Sequence, residues 1–365
     1  MKIKDISRRH FLKNTLIGST AVLTSTGLWT AASGLQKKEK LGIALVGLGY
    51  YSTDLLAPAL QLTKNCYLAG IVTGSPLKAQ KWKAQYNIPD KNVYNYQNFD
   101  QIANNPDIDI VYVVLPPSMH REFTVRAAKA GKHVFCEKPM APTSADCIAM
   151  IKACADNKVK LAIGYRCQHD PNTQAYMKFA KEQTFGKIGM VACGAGYFDG
   201  RTDHWKQKKA MGGGVMGDMG VYAIQGARLA TGEEPIAVTA QLSTTRPHIY
   251  KEVEETALFQ LQFPSGALAA CHTSYGINMN YLQVNCDKGW FKMEPFSSYS
   301  GNKGSSPLGI IDFPIENQQA KQMDEDAEAI LNNSPLIASG EEGLQDIRIV
   351  EAVYEAAKTG RKIKI

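Results

Sequence analysis

No run of this chain is long and apolar enough to cross a bilayer, which takes about 20 consecutive apolar residues. Its eight cysteines, at 66, 136, 147, 154, 167, 193, 271 and 286, form no CxxC pair and no small-scaffold spacing. Several fall inside apolar runs, where cysteine behaves as a small buried hydrophobe. Neither a structural disulfide nor a metal site is expected. A basic tract of the kind that binds nucleic acid is also missing. The net charge is +7, but five of the 41 basic and one of the 34 acidic residues fall in the first 33, leaving 36 against 33 for the rest. What remains is an ordinary globular composition, 44% hydrophobic and 21% charged. The length of 365 residues suits two domains with sizeable cores.

The basic excess sits in Ser7-Arg8-Arg9-His10-Phe11-Leu12-Lys13, before a modestly apolar run over 16–29 and the small residues Ala31-Ala32-Ser33. A charged start, short apolar middle and small-residue end describe a secretory signal over 1–33 rather than a membrane anchor. Paired arginines followed by Phe-Leu-Lys resemble the twin-arginine export signal. That resemblance implies a periplasmic location, the twin-arginine translocation machinery as partner, and a protein folded around its cofactor before export.

The chain is organised around 132–140, Lys-His-Val-Phe-Cys-Glu-Lys-Pro-Met. Val134 to Cys136 reads as a short buried strand of a parallel sheet. Pro139 cannot continue a ladder and biases Lys138 toward extended backbone, so Glu137 and Lys138 stand at the strand's carboxyl edge. Ligands of open α/β sheets bind at that edge. A lysine there can hydrogen-bond a carbonyl or alcohol oxygen beside a nicotinamide. Taken alone, the tripeptide reads better as a solvated loop with an ordinary ion pair, because short motifs match by chance.

The surrounding pattern decides between these readings. Leu41–Val46 is an apolar strand followed by Gly47-Leu48-Gly49-Tyr50-Tyr51-Ser52, the dinucleotide fingerprint with serine as its third small residue. A helix over about 54–62 offers its N-terminal amides to phosphate. The next strand, 67–72, ends in Thr73-Gly74-Ser75, with Lys78 one turn later and no carboxylate to take a ribose 2′-hydroxyl. Thr73, Ser75 and Lys78 therefore favour NADP over NAD, although Lys78 could also be a solvated helix residue. Helices over 77–86 and 99–104 lead to the strand 108–115, which ends at Leu115 and Pro116. His120 follows, either as a helix cap or as a site residue. A helix over 144–157 and a strand over 160–164 carry the chain to Arg166. Strand–helix alternation of this kind means a doubly wound parallel sheet over 41–166.

Beyond that, 167–365 is expected to form an α+β domain. Strand-like runs at 188–198, 236–244, 254–263, 267–275 and 281–285 make an antiparallel, open sheet whose free face would join subunits into a dimer or tetramer. Residues 296–310, rich in serine and glycine, read as a mobile loop. Helices over 318–331 and 341–359 fold back before a last strand over 362–365. A glycine cluster, Gly212-Gly213-Gly214, opens a helix that carries Asp218 and Tyr222 at i and i+4 on one face. These two are either a capping aspartate with a packed tyrosine, or a pair that exchanges a substrate proton with help from a nearby lysine.

Glu137-Lys138-Pro139, Gly164-Tyr165-Arg166, Gly212–Gly214 and Asp218 with Tyr222 resemble the glucose–fructose oxidoreductase and inositol 2-dehydrogenase family, from about residue 41 to the C-terminus. Tyrosine at 222, where many members carry histidine, resembles the glucose–fructose branch. The long proline-rich arm that follows the signal in that branch is reduced here to about 34–40. The resemblance implies tightly bound NADP, with NAD the alternative. It also implies Lys138 and Tyr222 at the reacting oxygen, Asp218 supporting them, and Thr73 and Lys78 at the 2′-phosphate. Tyr50, Tyr51, Leu115, Pro116, His120, Glu137 and Arg166 complete the expected cofactor surroundings. The expected activity is exported sugar-to-sugar oxidoreduction. Redox-assisted glycoside cleavage, an ordinary sugar or polyol dehydrogenase, and a non-catalytic binder are the competing readings. Replacing Arg8 and Arg9 together with lysine keeps the charge and is expected to retain the protein in the cytoplasm. Cell fractionation measures this, and unchanged periplasmic recovery would contradict the export signal.

Overall fold

All six residues of Leu41–Val46 (β1) are buried, with Leu41, Ile43 and Leu45 in one core and Ala44 and Val46 in another. A strand buried on both faces belongs at the centre of a covered sheet, and β1 lies there. The computed structural model describes residues 38–365, so the segment read as an export signal lies outside the described residues. With Cys66–Val72 (β2), Val93–Tyr94 (β3), Ile110–Val113 (β4), His133–Cys136 (β5) and Leu161–Ile163 (β6), β1 forms a parallel sheet of order β3-β2-β1-β4-β5-β6. The order reverses between β1 and β4, which makes the crevice above their carboxyl ends the binding position of this architecture.

The fingerprint helix starts earlier than its sequence suggests. A π-helical turn, Tyr51–Leu56, runs into Ala57–Ala59 (α1). Ser52 is buried and its hydroxyl donates to the Gly47 carbonyl at 2.5 Å, drawing the turn onto the end of β1. Pro76–Tyr86 (α2), Pro117–Lys129 (α3) and Ser144–Asp156 (α4) follow; α2 and α4 lie within a residue of their expected positions, and α3 carries His120 in its first turn.

Pro171–Glu182 (α5) was not expected, although Asp170 and Pro171 are an ordinary helix-start pair: the Asp170 side chain accepts from Asn172 N–H. It leads into a nine-stranded sheet made of Ile188–Gly196 (β7), Ala237–Ser243 (β8), Thr256–Gln262 (β9), Leu268–Ser274 (β10), Met279–Cys286 (β11), Gly289–Met293 (β12), Gly304–Ser306 (β13), Gly309–Ile311 (β14) and Ile363–Lys364 (β15). The sheet is mixed, because β7 pairs in parallel with β10 and antiparallel with β11, while the other pairings are antiparallel. Part of the segment read as a loop over 296–310 is thus an edge hairpin, β13 and β14. Both strands are only three residues long, and short strands are a common way of limiting an exposed edge.

One face of this sheet packs Val191, Cys193, Phe259, Leu261, Leu282 and Val284 against α5 and Val221–Thr231 (α6). The other face leaves Met190, Leu258 and Leu268 about half exposed. The tail returns to the first sheet. Gln318–Leu331 (α7) sends Ala320, Met323 and Ala327 into the core that holds Leu41, Ile43 and Leu45. Gly340–Thr359 (α8) places Leu344 and Ile347 in the core on the opposite side and Ile349, Val350 and Val353 in the second domain's core.

One arginine ties α6 to α8. Arg228 is 4% exposed and donates to Glu234 at 2.6 Å, to Glu342 at 2.9 Å and to Asp346 at 2.6 Å. Removing one partner of a buried ion cluster strands the others, at a cost of about 3–5 kcal/mol. Arg228→Met is expected to lower stability by that amount in urea unfolding, and an unchanged midpoint would show the cluster to be neutral.

Candidate active site

Two chain segments far apart in sequence meet at one carboxylate. Lys138 follows β5 directly, and its ammonium donates to the Asp218 carbonyl at 2.7 Å and to Asp218 Oδ1 at 3.1 Å. Asp218 lies in a second π-helical turn, Met216–Gly220, that runs into α6. Such turns recur at functional sites. The glycine cluster before it has a steric reason. A Cβ on Gly213 would stand 2.5 Å from the Lys206 carbonyl, and Gly214 has φ +112° with its Cβ position 2.7 Å from Glu254 Oε1. Glu254 in turn accepts the Met216 N–H at 2.9 Å and the Tyr354 hydroxyl at 3.0 Å, fixing the start of the turn.

Asp218 Oδ2 collects three more donors: the Lys206 ammonium, Tyr275 Oη at 3.2 Å and Tyr197 Oη at 3.4 Å. Burial alone would raise this carboxyl, but Lys206 and Lys138 outweigh it and hold Asp218 well below the usual carboxylate range. Asp218 is therefore an organising anion with both oxygens occupied. Burial would likewise lower Lys138, yet its electrostatic interactions with Tyr222 and Asp218 outweigh this and keep it above the ordinary lysine value. Lys206 shows the opposite balance: burial wins over Asp218 and draws it below. Lys206, Tyr197 and Tyr275 were not read from the sequence. The usable signal was Trp205-Lys206, a basic residue beside a large aromatic just upstream of the glycine cluster.

Tyr222 reaches the same place from the first turn of α6. The Lys138 ammonium lies 4.7 Å from its ring centre, over the face rather than at the hydroxyl. The cation that meets the hydroxyl is Arg166, whose guanidinium donates to Tyr222 Oη at 3.3 Å. Arg166 is itself fixed by the carbonyls of Ser297, at 2.6 Å, and Ser298, at 2.8 Å, and by the Gln318 side chain. The Tyr299 ring centre lies 4.5 Å from the same guanidinium and 6.0 Å from the ring of Tyr51 in the fingerprint turn. The segment just before the edge hairpin thus closes over the site.

Two other expected residues, Glu137 and His120, are engaged by protein partners. Glu137 is buried and accepts the Tyr112 hydroxyl at 2.6 Å. Burial pushes its carboxyl up to about 7, against the pull of Tyr112, Lys138 and Arg166. His120 is buried with ring nitrogens 2.7 Å from the Leu115 carbonyl and 3.0 Å from that of Pro139, so it ties the end of β4 to the loop carrying Lys138. Burial holds this imidazole below its ordinary value.

The fingerprint fits a dinucleotide. Gly47 has φ +92° and a Cβ there would stand 2.4 Å from the Val114 carbonyl, whereas nothing lies within 4 Å of a Cβ built on Gly49, leaving the approach a pyrophosphate needs. Tyr50 is exposed beside it, and Leu115 and Pro116 line the neighbouring strand end at half burial. At the end of β2, Thr73 accepts the Ser75 N–H at 3.2 Å, Ser75 caps α2, and Lys78 Nζ donates to the Leu48 carbonyl at 2.8 Å. Lys78 thus leans back over the glycine turn.

A nucleotide crevice with a lysine, a carboxylate and a tyrosine at its rim defines an NAD(P)-dependent oxidoreductase. Residues 41–165 match the oxidoreductase family with an NAD-binding Rossmann fold, and residues 173–292 match the GFO/IDH/MocA C-terminal domain. The chain belongs to this family. It is similar to the solved structure of an aldose–aldose oxidoreductase from Caulobacter crescentus in complex with glycerol. That likeness has 42% identity and a TM-score of 0.87 over 89% of this chain and 100% of the other. A D-xylose 1-dehydrogenase [NADP(+)] of Haloarcula marismortui is 25% identical over 334 residues, 88% of this chain and 92% of that protein. An inositol 2-dehydrogenase of Rhizobium meliloti is 27% identical over 285 residues, 74% and 84% of the respective chains.

Tyr222→Phe is expected to reduce turnover by roughly 10²–10⁴, the range for a positioned acid or base. Lys138→Ala should cost at least as much, with folding and nucleotide content retained. Steady-state kinetics with circular dichroism checks both, and near-wild-type turnover in either variant would make that residue structural.

Proposed function

We propose that this chain is an exported sugar oxidoreductase that keeps NADP(H) bound, oxidises an aldose to its lactone and reduces a second sugar or carbonyl compound. The observation that carries this reading is the convergence of Lys138, Asp218 and Tyr222 at the mouth of the fingerprint crevice. It is supported by the likeness to a protein described as an aldose–aldose oxidoreductase.

A bound nicotinamide supplies the hydride acceptor and, in the second half-reaction, the hydride donor. Gly47 and Gly49 would hold its pyrophosphate, and Thr73 and Lys78 its 2′-phosphate. The third N–H of Lys138, beyond the two given to Asp218, binds the oxygen of the reacting carbon. Tyr222, oriented by Arg166 and acting as the phenolate, takes the proton of that hydroxyl as the C–H bond breaks and, now a phenol, returns it to the carbonyl oxygen of the second substrate. Asp218 stays ionised and keeps Lys138 charged and aimed.

Export and a retained cofactor belong together in this reading. A nucleotide that cannot exchange must be reoxidised where it is reduced, and a second carbonyl substrate does so. The half-exposed apolar residues on the free face of the second sheet favour a homodimer or homotetramer. Protein purified without added nucleotide is expected to release NADP(H) on heating. Free aldose should raise the near-ultraviolet absorbance of reduced nicotinamide, and a ketose or second aldose should abolish it. Release of NAD alone would overturn the assignment of Thr73 and Lys78. Cleavage of a chromogenic glycoside, with aldose leaving the bound cofactor oxidised, would make the chain a redox-neutral glycoside hydrolase instead.

A further inference from the structure

Lys206 is held more firmly than the needs of Asp218 require. The aspartate already receives Lys138 on one oxygen and two tyrosine hydroxyls on the other. A second ammonium, mostly buried, is costly to keep unless it has a task. The local fold nonetheless fixes it. It stands in the short turn Trp205–Gln207, whose N-terminus is closed by reciprocal bonds between His204 and Gln207. The Lys206 carbonyl accepts the Gly214 N–H at 2.9 Å, which pins this turn to the one that carries Asp218.

An ammonium has three N–H groups. Lys206 gives one to Asp218 Oδ2 and one to Tyr197 Oη at 3.0 Å. Lys138 gives two to Asp218. Each nitrogen therefore keeps one donor, and the two ammoniums are held on the two oxygens of a single carboxylate. A substrate with one oxygen satisfies only one of them. A substrate with oxygens on adjacent carbons satisfies both.

Resting on the sugar-oxidoreductase reading above, the geometry points to Lys206 as a specificity-determining residue that binds the oxygen on the carbon next to the one being oxidised. The site then demands a vicinal pair of oxygens, as at C1 and C2 of an aldose. A substrate without the second oxygen leaves a buried charged donor unpaired, and sites built to bond a hydroxyl reject analogues that lack it. The role belongs to the ammonium form, since a neutral amine has only the two N–H groups already given to Asp218 and Tyr197.

The experiment compares an aldose with its 2-deoxy analogue on wild type, K206Q and K206R, all with bound cofactor, by kinetics and by calorimetric binding. Wild type is expected to prefer the aldose by about 10–100-fold in kcat/KM, the range for a hydrogen bond to a charged group. K206Q should lose most of that preference by losing performance on the aldose, with binding of the two sugars becoming nearly equal. K206R should recover part of it. A preference left intact in K206Q would overturn the inference and make Lys206 structural. Should K206Q fold poorly, wild type decides alone, because equal kcat/KM for the two sugars would overturn it as well. If wild type oxidises no aldose at all, the functional reading fails rather than this one.

Discussion

The site depends on one buried carboxylate shared between two lysines. Lys138 comes from the end of β5 in the nucleotide domain and Lys206 from a turn in the second domain, and both close on Asp218. Two ammoniums this close repel in a poorly solvated crevice, and the anion between them turns that repulsion into a joint. The glycine cluster, the π-helical turn and the Glu254 anchor all serve to bring Asp218 to this position. The hydroxyls of Tyr197 and Tyr275 complete its shell, so the aspartate has no oxygen left for substrate and acts by charge and placement.

Much of this was legible in the chain. A strand with every residue apolar, two glycines and a serine at fingerprint spacing, and a strand stopped by Glu-Lys-Pro mark a parallel sheet and its functional edge with local signals alone. Lys138, Asp218 and Tyr222 were picked out by position and spacing, and their expected roles came from the family resemblance. Lys206, Tyr197 and Tyr275 were not, because their roles arise only when three segments of the second domain meet, and no spacing in sequence records that. Arg166 was placed at the cofactor from its position after β6. Its actual partners are the Ser297 and Ser298 carbonyls and the Tyr222 hydroxyl, and a backbone acceptor has no sequence signature. The parallel pairing of β7 with β10 was hidden for a related reason: alternation of apolar and polar residues identifies a strand and says nothing about its direction.

Glu137 and His120 show how a motif can be right about location and silent about orientation. Both flank the functional edge, and both point inward, one to Tyr112 and the other to backbone carbonyls. They hold the strand ends on which Lys138 is mounted. A short motif thus combines one outward group with the inward groups that aim it, and only the fold separates the two.

The first sheet borrows part of its core from the far end of the chain. Ala320, Met323 and Ala327 of α7 lie among Leu41, Ile43 and Leu45, and Leu344 and Ile347 of α8 lie on the other side. During synthesis, the first sheet, which ends at Ile163, is made about 150 residues before α7 begins at Gln318, with apolar surface still exposed on both faces. Its nucleotide crevice can become rigid only once the last helices have been made, so a shortened chain would retain the whole fingerprint and still lack a finished domain to present it.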